Sequence, residues 1–124
     1  MKNINIASTL KIPKVNFDYK KGLIELTGRS TPEDTDNLYR PLLNWLKEYI
    51  TKPQPKTIVN INLEYFNSSS TKYITRLLEQ LSFLVENNHP VEFNWFYIDE
   101  ETKEEGEDFA DILDLDFKLI QVDY

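Results

Sequence analysis

The chain has 124 residues, a formal net charge of −7 and no cysteine, and 40% of its residues are hydrophobic. This size and apolar content suit one domain with one core. The acidic charge disfavours binding to nucleic acid or to a membrane surface, and the lack of cysteine excludes disulfides and thiolate chemistry. The first residues lack the apolar run of a signal peptide, and no stretch is apolar for long enough to cross a bilayer, so we expect a cytoplasmic protein.

The N-terminal part of the chain predicts a β-hairpin. Val15, Phe17 and Tyr19 alternate with polar residues, which is the period of a strand. Residues 20–22 contain a glycine and form a tight turn into a second strand at 23–27. Two strands joined by so short a turn are expected to pair in antiparallel fashion.

A helix with a strong apolar stripe is predicted after the hairpin. The capping and acidic residues at 31–34 suit a helix N-terminus, and leucines and tyrosines recur at helical spacing from Leu38 to Ile50. Pro41 either lies in the first turn, where its missing N–H is harmless, or kinks the helix. The proline-containing stretch at 52–56 ends the helix and forms a loop.

The C-terminal part predicts three more strands separated by helices. Alternation at 59–63 indicates a strand, apolar residues at helical spacing from Ile74 to Val85 indicate a helix, and the aromatic run at 91–98 indicates a buried strand. The acidic stretch at 99–108 is interpreted as a solvated loop that leads into a short helix marked by Phe109, Ile112 and Leu113. A last strand is expected at 117–122.

The predicted order is therefore β-β-α-β-α-β-α-β, an α/β fold in a single domain over residues 1–124. Strands separated by helices pair in parallel through right-handed crossovers, and the opening hairpin adds an antiparallel part, so the sheet is mixed. The clean alternation in the first and third strands indicates that one face of the sheet is better covered than the other. We expect the helices to pack mainly on one face.

Five residues of the capping type stand in succession where the third strand ends and the second helix begins: Asn67, Ser68, Ser69, Ser70 and Thr71. In open α/β sheets this edge is where sites usually lie. The simplest interpretation is an N-cap, because such side chains accept hydrogen bonds from the first free N–H groups of a helix. A cap needs only one such residue.

The serine run also has the properties of a phosphorylation site. A helix N-terminus offers unpaired N–H groups and a partial positive charge, so a phosphate at Ser68 would be stabilised there. Lys72 follows one turn later and could pair with that phosphate. The modification would leave the fold intact and change the surface that a partner meets.

Other chemistry finds little support in the sequence. The acidic stretch matches no loop of cation ligands, the scattered glycines form no phosphate-binding loop, and His89 is the only histidine, so no metal site, catalytic residue or cofactor is predicted. Two alternatives to a phosphorylation switch remain open. One is an unmodified structural or scaffold domain. The other is a small hydrolase that would use the serine run and the acidic stretch, with His89 as the one imidazole.

Three blocks of the sequence resemble the SiaC family of bacterial regulatory phosphoproteins. They are residues 31–46, containing Thr-Pro-Glu-Asp and Tyr-Arg-Pro-Leu-Leu-Asn-Trp-Leu, residues 65–72, Tyr-Phe-Asn-Ser-Ser-Ser-Thr-Lys, and residues 93–109, which open on Phe-Asn-Trp-Phe-Tyr and end on Glu-Gly-Glu-Asp-Phe. Each block is short, but together they extend from residue 31 to residue 109 in the same order.

The resemblance implies a fold similar to the STAS domains of anti-sigma-factor antagonists, and a regulatory protein that is not an enzyme. It implies a partner kinase, a PP2C-like phosphatase and a diguanylate cyclase, which the unphosphorylated form binds and activates in cyclic-di-GMP and biofilm signalling. The phosphoacceptor of the family directly follows the asparagine of the second block, which is Asn67 here, so the resemblance points to Ser68. Ser69, Ser70 and Thr71 are secondary candidates.

Overall fold

Residues 1–123 are described by the structure, a computed structural model, and they form six strands and three helices. In chain order these are β1 (Ile4–Ile6), β2 (Lys14–Asp18), β3 (Leu23–Ser30), α1 (Thr35–Tyr49), β4 (Thr57–Phe66), α2 (Ser68–Glu86), β5 (Val91–Tyr97), α3 (Glu100–Leu113) and β6 (Phe117–Gln121). The predicted order is confirmed with one addition. The short strand β1 was missed, because three residues are too few to show a period of two.

The six strands form one mixed sheet in the order β1-β2-β3-β4-β5-β6. β1, β2 and β3 pair in antiparallel fashion, and β3, β4, β5 and β6 pair in parallel. Each parallel strand lies beside the next one along the chain, so the three right-handed crossovers place α1, α2 and α3 on the same face. The prediction of a mixed sheet with its helices on one face is confirmed.

The core lies between this helical layer and the sheet. In β4 the side chains of Val59, Ile61 and Leu63 are almost fully buried, whereas the side chains between them are half-buried on the other face. α1 and α2 contribute fully buried aromatic and aliphatic side chains, among them Tyr39 and Leu78. This burial explains why the alternation in the sequence was so clear.

The face of the sheet without helices carries a row of polar side chains that runs across the strands. Cross-strand pairing aligns Asn16, Glu25, Asn60, Asn94 and Lys118 in neighbouring strands. The Asn60 amide donates to the Glu25 carboxylate at 3.1 Å, and the Asn94 amide donates to the Asn60 carbonyl oxygen at 2.9 Å. Such a hydrogen-bonded row suits contact with water rather than with a second layer of helices.

Two expectations for the helices need correction. The acidic stretch is not a loop, because α3 already begins at Glu100 and runs through it. The Asp99 side chain accepts from the N–H of Thr102, and the Thr102 hydroxyl lies 3.2 Å from the N–H of Asp99, a capping box that starts the helix. Pro41 is the seventh residue of α1, beyond its first turn, and α1 continues through it. Across residues 1–123, no helix has the length and apolar character that a membrane span needs.

Candidate functional site

The serine run lies at the edge of the sheet where the parallel strands β3 and β4 end. β4 ends at Phe66, and α2 begins at Ser68. Asn67 between them is the N-cap, with an extended backbone and a side-chain oxygen that accepts from the N–H of Ser70 at 2.9 Å. The predicted cap is therefore Asn67, and the hydroxyls after it are not needed to cap α2 in this way.

The four hydroxyls of the run have different surroundings. Ser69 Oγ lies 2.9 Å from Thr35 Oγ1 and donates to Asn67 Oδ1, and Thr71 Oγ1 donates to the backbone carbonyl of Asn67. Ser70 is fully buried. The exposed Ser68 hydroxyl has no hydrogen-bond partner among residues 1–123. Ser68 is therefore the hydroxyl that is both accessible and uncommitted.

Ser70 belongs to a buried hydrogen-bond network that fixes the first turn of α2. Its Oγ lies 2.8 Å from Ser30 Oγ and donates to the Ser30 carbonyl at 3.0 Å. Ser30 Oγ in turn lies 2.6 Å from the hydroxyl of Tyr39. Burial raises the pKa of Tyr39, while the hydrogen bonds of Ser30 and Ser70 act in the opposite direction. The network joins α2 to β3 and α1, which makes Ser70 a structural residue.

The N-termini of two helices meet beside Ser68. Thr35 is the first residue of α1, which Asp34 caps, and its hydroxyl contacts Ser69 in the first turn of α2. α1 and α3 both carry acidic side chains in their first turn, but α2 carries none. The partial positive charge at the N-terminus of α2 is therefore not offset by a carboxylate of its own first turn.

Lys72 lies one turn after Ser68 on an exposed part of α2. It forms no ion pair with any residue that the structure describes. Since residues four apart face each other on a helix, its ammonium group can reach toward a substituent on Ser68. The role expected for Lys72 beside a phosphate on Ser68 stays a prediction.

A polar cluster between α1 and α2, beside the serine run, was not predicted. Asp36 accepts hydrogen bonds from the hydroxyl of Tyr73 and from the guanidinium of Arg40, both at 2.7 Å. The hydrogen bonds from Tyr73 and then from Arg40 lower the pKa of Asp36, and the same bond to Asp36 raises the pKa of Tyr73. Asp36 and Arg40 stand four apart in the sequence, a spacing that could have indicated their pairing, whereas Tyr73 comes from a distant element.

The structure does not bring together the residues that a hydrolase would need. Ser68 begins α2, whereas His89 lies beyond its C-terminal end, so the 19 residues of the helix hold them about 28 Å apart. The His89 ring contacts the backbone carbonyl of Gln54. Among residues 1–123, no group of three or more acidic, histidine or cysteine side chains is arranged to hold a metal ion.

Comparison with known proteins points to one family over nearly the whole chain. The model of a family described as SiaC family regulatory phosphoprotein matches residues 6–122. A curated protein of Pseudomonas aeruginosa strain UCBPP-PA14 that carries no functional name is 26% identical over 97 residues, which cover 78% of this chain and 77% of the relative.

Two solved structures share the fold over nearly the whole chain. The structure of SiaC of Pseudomonas aeruginosa is 25% identical, covers 100% of both chains and superposes with a TM-score of 0.86. The SiaC chain in a complex from the same organism is 24% identical, with a TM-score of 0.90 over 96% of this chain and 99% of that one. That complex contains the diguanylate cyclase SiaD with its activator SiaC.

Proposed function

Because the chain belongs to the SiaC family of regulatory phosphoproteins, we propose that it is a phosphorylation-controlled switch of protein–protein interaction. In this proposal a partner kinase phosphorylates Ser68, and a PP2C-like phosphatase removes the phosphate. The unphosphorylated form binds a diguanylate cyclase and activates it, as the relative SiaC activates SiaD. The chain itself acts in the cytoplasm as a regulator and not as an enzyme.

The observation that carries the proposal is the free, exposed hydroxyl of Ser68 at the N-terminus of α2. A kinase needs an accessible acceptor, and the full burial of Ser70 argues against that residue in the folded chain. Ser69 and Thr71 are engaged in hydrogen bonds, so their modification would break existing contacts. Modification of Ser68 breaks no side-chain hydrogen bond among residues 1–123.

The surroundings of Ser68 also suit the phosphorylated state. A phosphate there would meet the uncompensated positive end of α2 and the unpaired ammonium group of Lys72. Since Asn67 already satisfies the N–H of Ser70, α2 keeps its cap in both states. The modification therefore adds about −1.5 to −2 charges to the surface while the fold is maintained.

The site of modification can be tested by mass spectrometry of the protein purified from its native cells. We expect a phosphate on the peptide that contains Ser68, absent in Ser68→Ala and retained in the matched control Ser69→Ala. A phosphate that persists in Ser68→Ala would contradict the assignment. Complete absence of phosphate under all growth conditions would favour the alternative of an unmodified scaffold domain.

The effect on the partner can be tested with the diguanylate cyclase of the same organism. We expect Ser68→Ala to bind and activate the cyclase constitutively. Ser68→Asp should bind it at least about tenfold more weakly, because a charge introduced where the interface fits an uncharged serine commonly costs more than about 1.4 kcal/mol. Isothermal titration calorimetry and the rate of cyclic-di-GMP synthesis measure both effects. Wild-type behaviour of both variants would contradict the proposed switch.

A further inference from the structure

The negative charge of this protein is concentrated in one short segment. Ten of the 21 acidic residues and a single lysine, Lys103, lie within residues 99–116. The rest of the chain carries 11 acidic and 13 basic residues, so its own formal charge is +2. The described part of the chain shows four ion pairs, and none of them includes a carboxylate of α3. Among residues 1–123, the carboxylates of α3 therefore form no ion pair with a cation.

An apolar groove lies between α2 and α3 beside these carboxylates. Phe66, Phe109 and Leu113 form part of its lining, and the cavity has a volume of about 230 Å³. Ile112 belongs to the same lining, and its side chain is 78% exposed, one of the most exposed large apolar side chains in the described chain. Exposure of this apolar side chain to water is unfavourable, and a partner that covers it removes its apolar surface from water.

Carboxylates border the groove on its α3 side. Glu105 and Asp108 line it, and Glu101 stands one turn before Glu105 on the same stripe of α3. Burial raises the pKa of Glu105, and the neighbouring carboxylates of Glu101, Asp99 and Asp108 raise it further. The groove thus combines an apolar interior with a crowded row of negative charge that a cationic partner would relieve.

We propose that the groove between α2 and α3 is a docking site for a basic amphipathic segment of a partner protein, which inserts an apolar side chain beside Ile112 and places lysine or arginine against Glu105 and Asp108. Charge complementarity selects this occupant. A second copy of the chain is disfavoured, because a symmetric dimer through this face would oppose two acidic helices. All groups involved belong to the unmodified chain, so the proposal does not rest on phosphorylation of Ser68.

The proposal can be tested with a synthetic 14-residue amphipathic helix made only of leucine and lysine, and with a matched peptide made of leucine and glutamate. We expect the leucine–lysine peptide to bind the full chain, measured by fluorescence polarisation, with an affinity that falls as salt is raised. In ¹H–¹⁵N correlation spectra the shift changes should map to α2 and α3. Equal binding of both peptides, or shift changes confined to other elements, would overturn the proposal.

Two matched variants separate docking in the groove from general attraction to an acidic protein. Ile112→Asp adds negative charge, so pure electrostatic attraction would strengthen binding, whereas we expect binding about tenfold weaker because the apolar anchor is lost. Phe83→Asp changes another exposed apolar residue, on α2 but outside the groove, and should leave the affinity within about twofold. Binding of Ile112→Asp as tight as that of the wild type would overturn the proposal. A concentration-dependent dimer of the wild type that Ile112→Asp abolishes would overturn it as well, in favour of a second copy.

Discussion

At the scale of single residues, the hydroxyls of the serine run differ in the groups that they contact. Residue types are identical at Ser68, Ser69 and Ser70, and only the direction of each side chain on α2 separates them. Ser70 points to Ser30 and Tyr39, Ser69 points to Thr35, and Ser68 points to solvent. These partners lie about 30 to 40 residues away in the sequence, so no local pattern contains them.

The difference between Ser68 and Ser70 predicts opposite results for the same substitution. Ser70→Ala removes the donor to the buried Ser30 carbonyl and should lower the free energy of unfolding by about 1–3 kcal/mol. Ser68→Ala removes no hydrogen bond and should change it by less than about 0.5 kcal/mol. Urea denaturation followed by tryptophan fluorescence measures both. Equal losses in the two variants would show that Ser68 also has a structural role.

At the scale of elements, the predicted third helix is present, but it begins earlier than the sequence indicated. The carboxylates of its first half favoured a solvated loop, because few residues mark its inner face: Thr102, Gly106 and Phe109 are buried, and Leu113 is half-buried. Their spacing of four, three and four is helical, but threonine and glycine are not apolar signals. The capping box of Asp99 and Thr102 was the local signal that could have located the start of the helix.

Glycine at position 106 is explained by the close approach of α3 to β5. A Cβ added at Gly106 would lie 2.4 Å from Cδ1 of Trp95. The indole cannot easily move aside, because it is 1% exposed, stacks on Phe117 and donates from Nε1 to the Thr102 carbonyl at 2.8 Å. The face of α3 that carries Gly106 therefore packs against Trp95 of β5.

We therefore expect Gly106→Ala to destabilise the fold although alanine is the better helix former. Overpacking against Trp95 costs about 1–3 kcal/mol, and the gain in helix propensity returns about 1 kcal/mol, which leaves a net loss of about 1 kcal/mol. Thermal unfolding followed by circular dichroism measures this loss. The control Glu107→Ala changes the next, exposed position and should stay within about 0.5 kcal/mol. A more stable Gly106→Ala would mean that Trp95 is not held as tightly as its contacts indicate.

At the scale of the whole molecule, the alternation of strands and helices was predictable, and the distribution of charge in space was not. Alternation predicts parallel pairing and right-handed crossovers. The single helical layer also needs each parallel strand to lie beside the next one along the chain, an order that the structure shows. The total charge of −7 gave no hint that α3 is the acidic surface, since the stretch was expected to be a solvated loop. Because the stretch is helical and lies beside α2, Glu105 and Asp108 line one groove.

This concentration of charge predicts that Glu105 makes the stability of the molecule depend on pH. Burial, and then the carboxylates around it, raise the pKa of Glu105 in the folded chain. The protonated carboxyl therefore stabilises the folded state, and this stabilisation is lost as the pH rises above the ordinary carboxyl range. We expect Glu105→Gln to have the same free energy of unfolding as the wild type at about pH 4, and a larger one at about pH 7. Urea denaturation of both at each pH measures the difference, with the exposed Glu104→Gln as the control for removing one charge from the same helix. A gain that is the same at both pH values would place its origin in packing and not in the ionisation of Glu105.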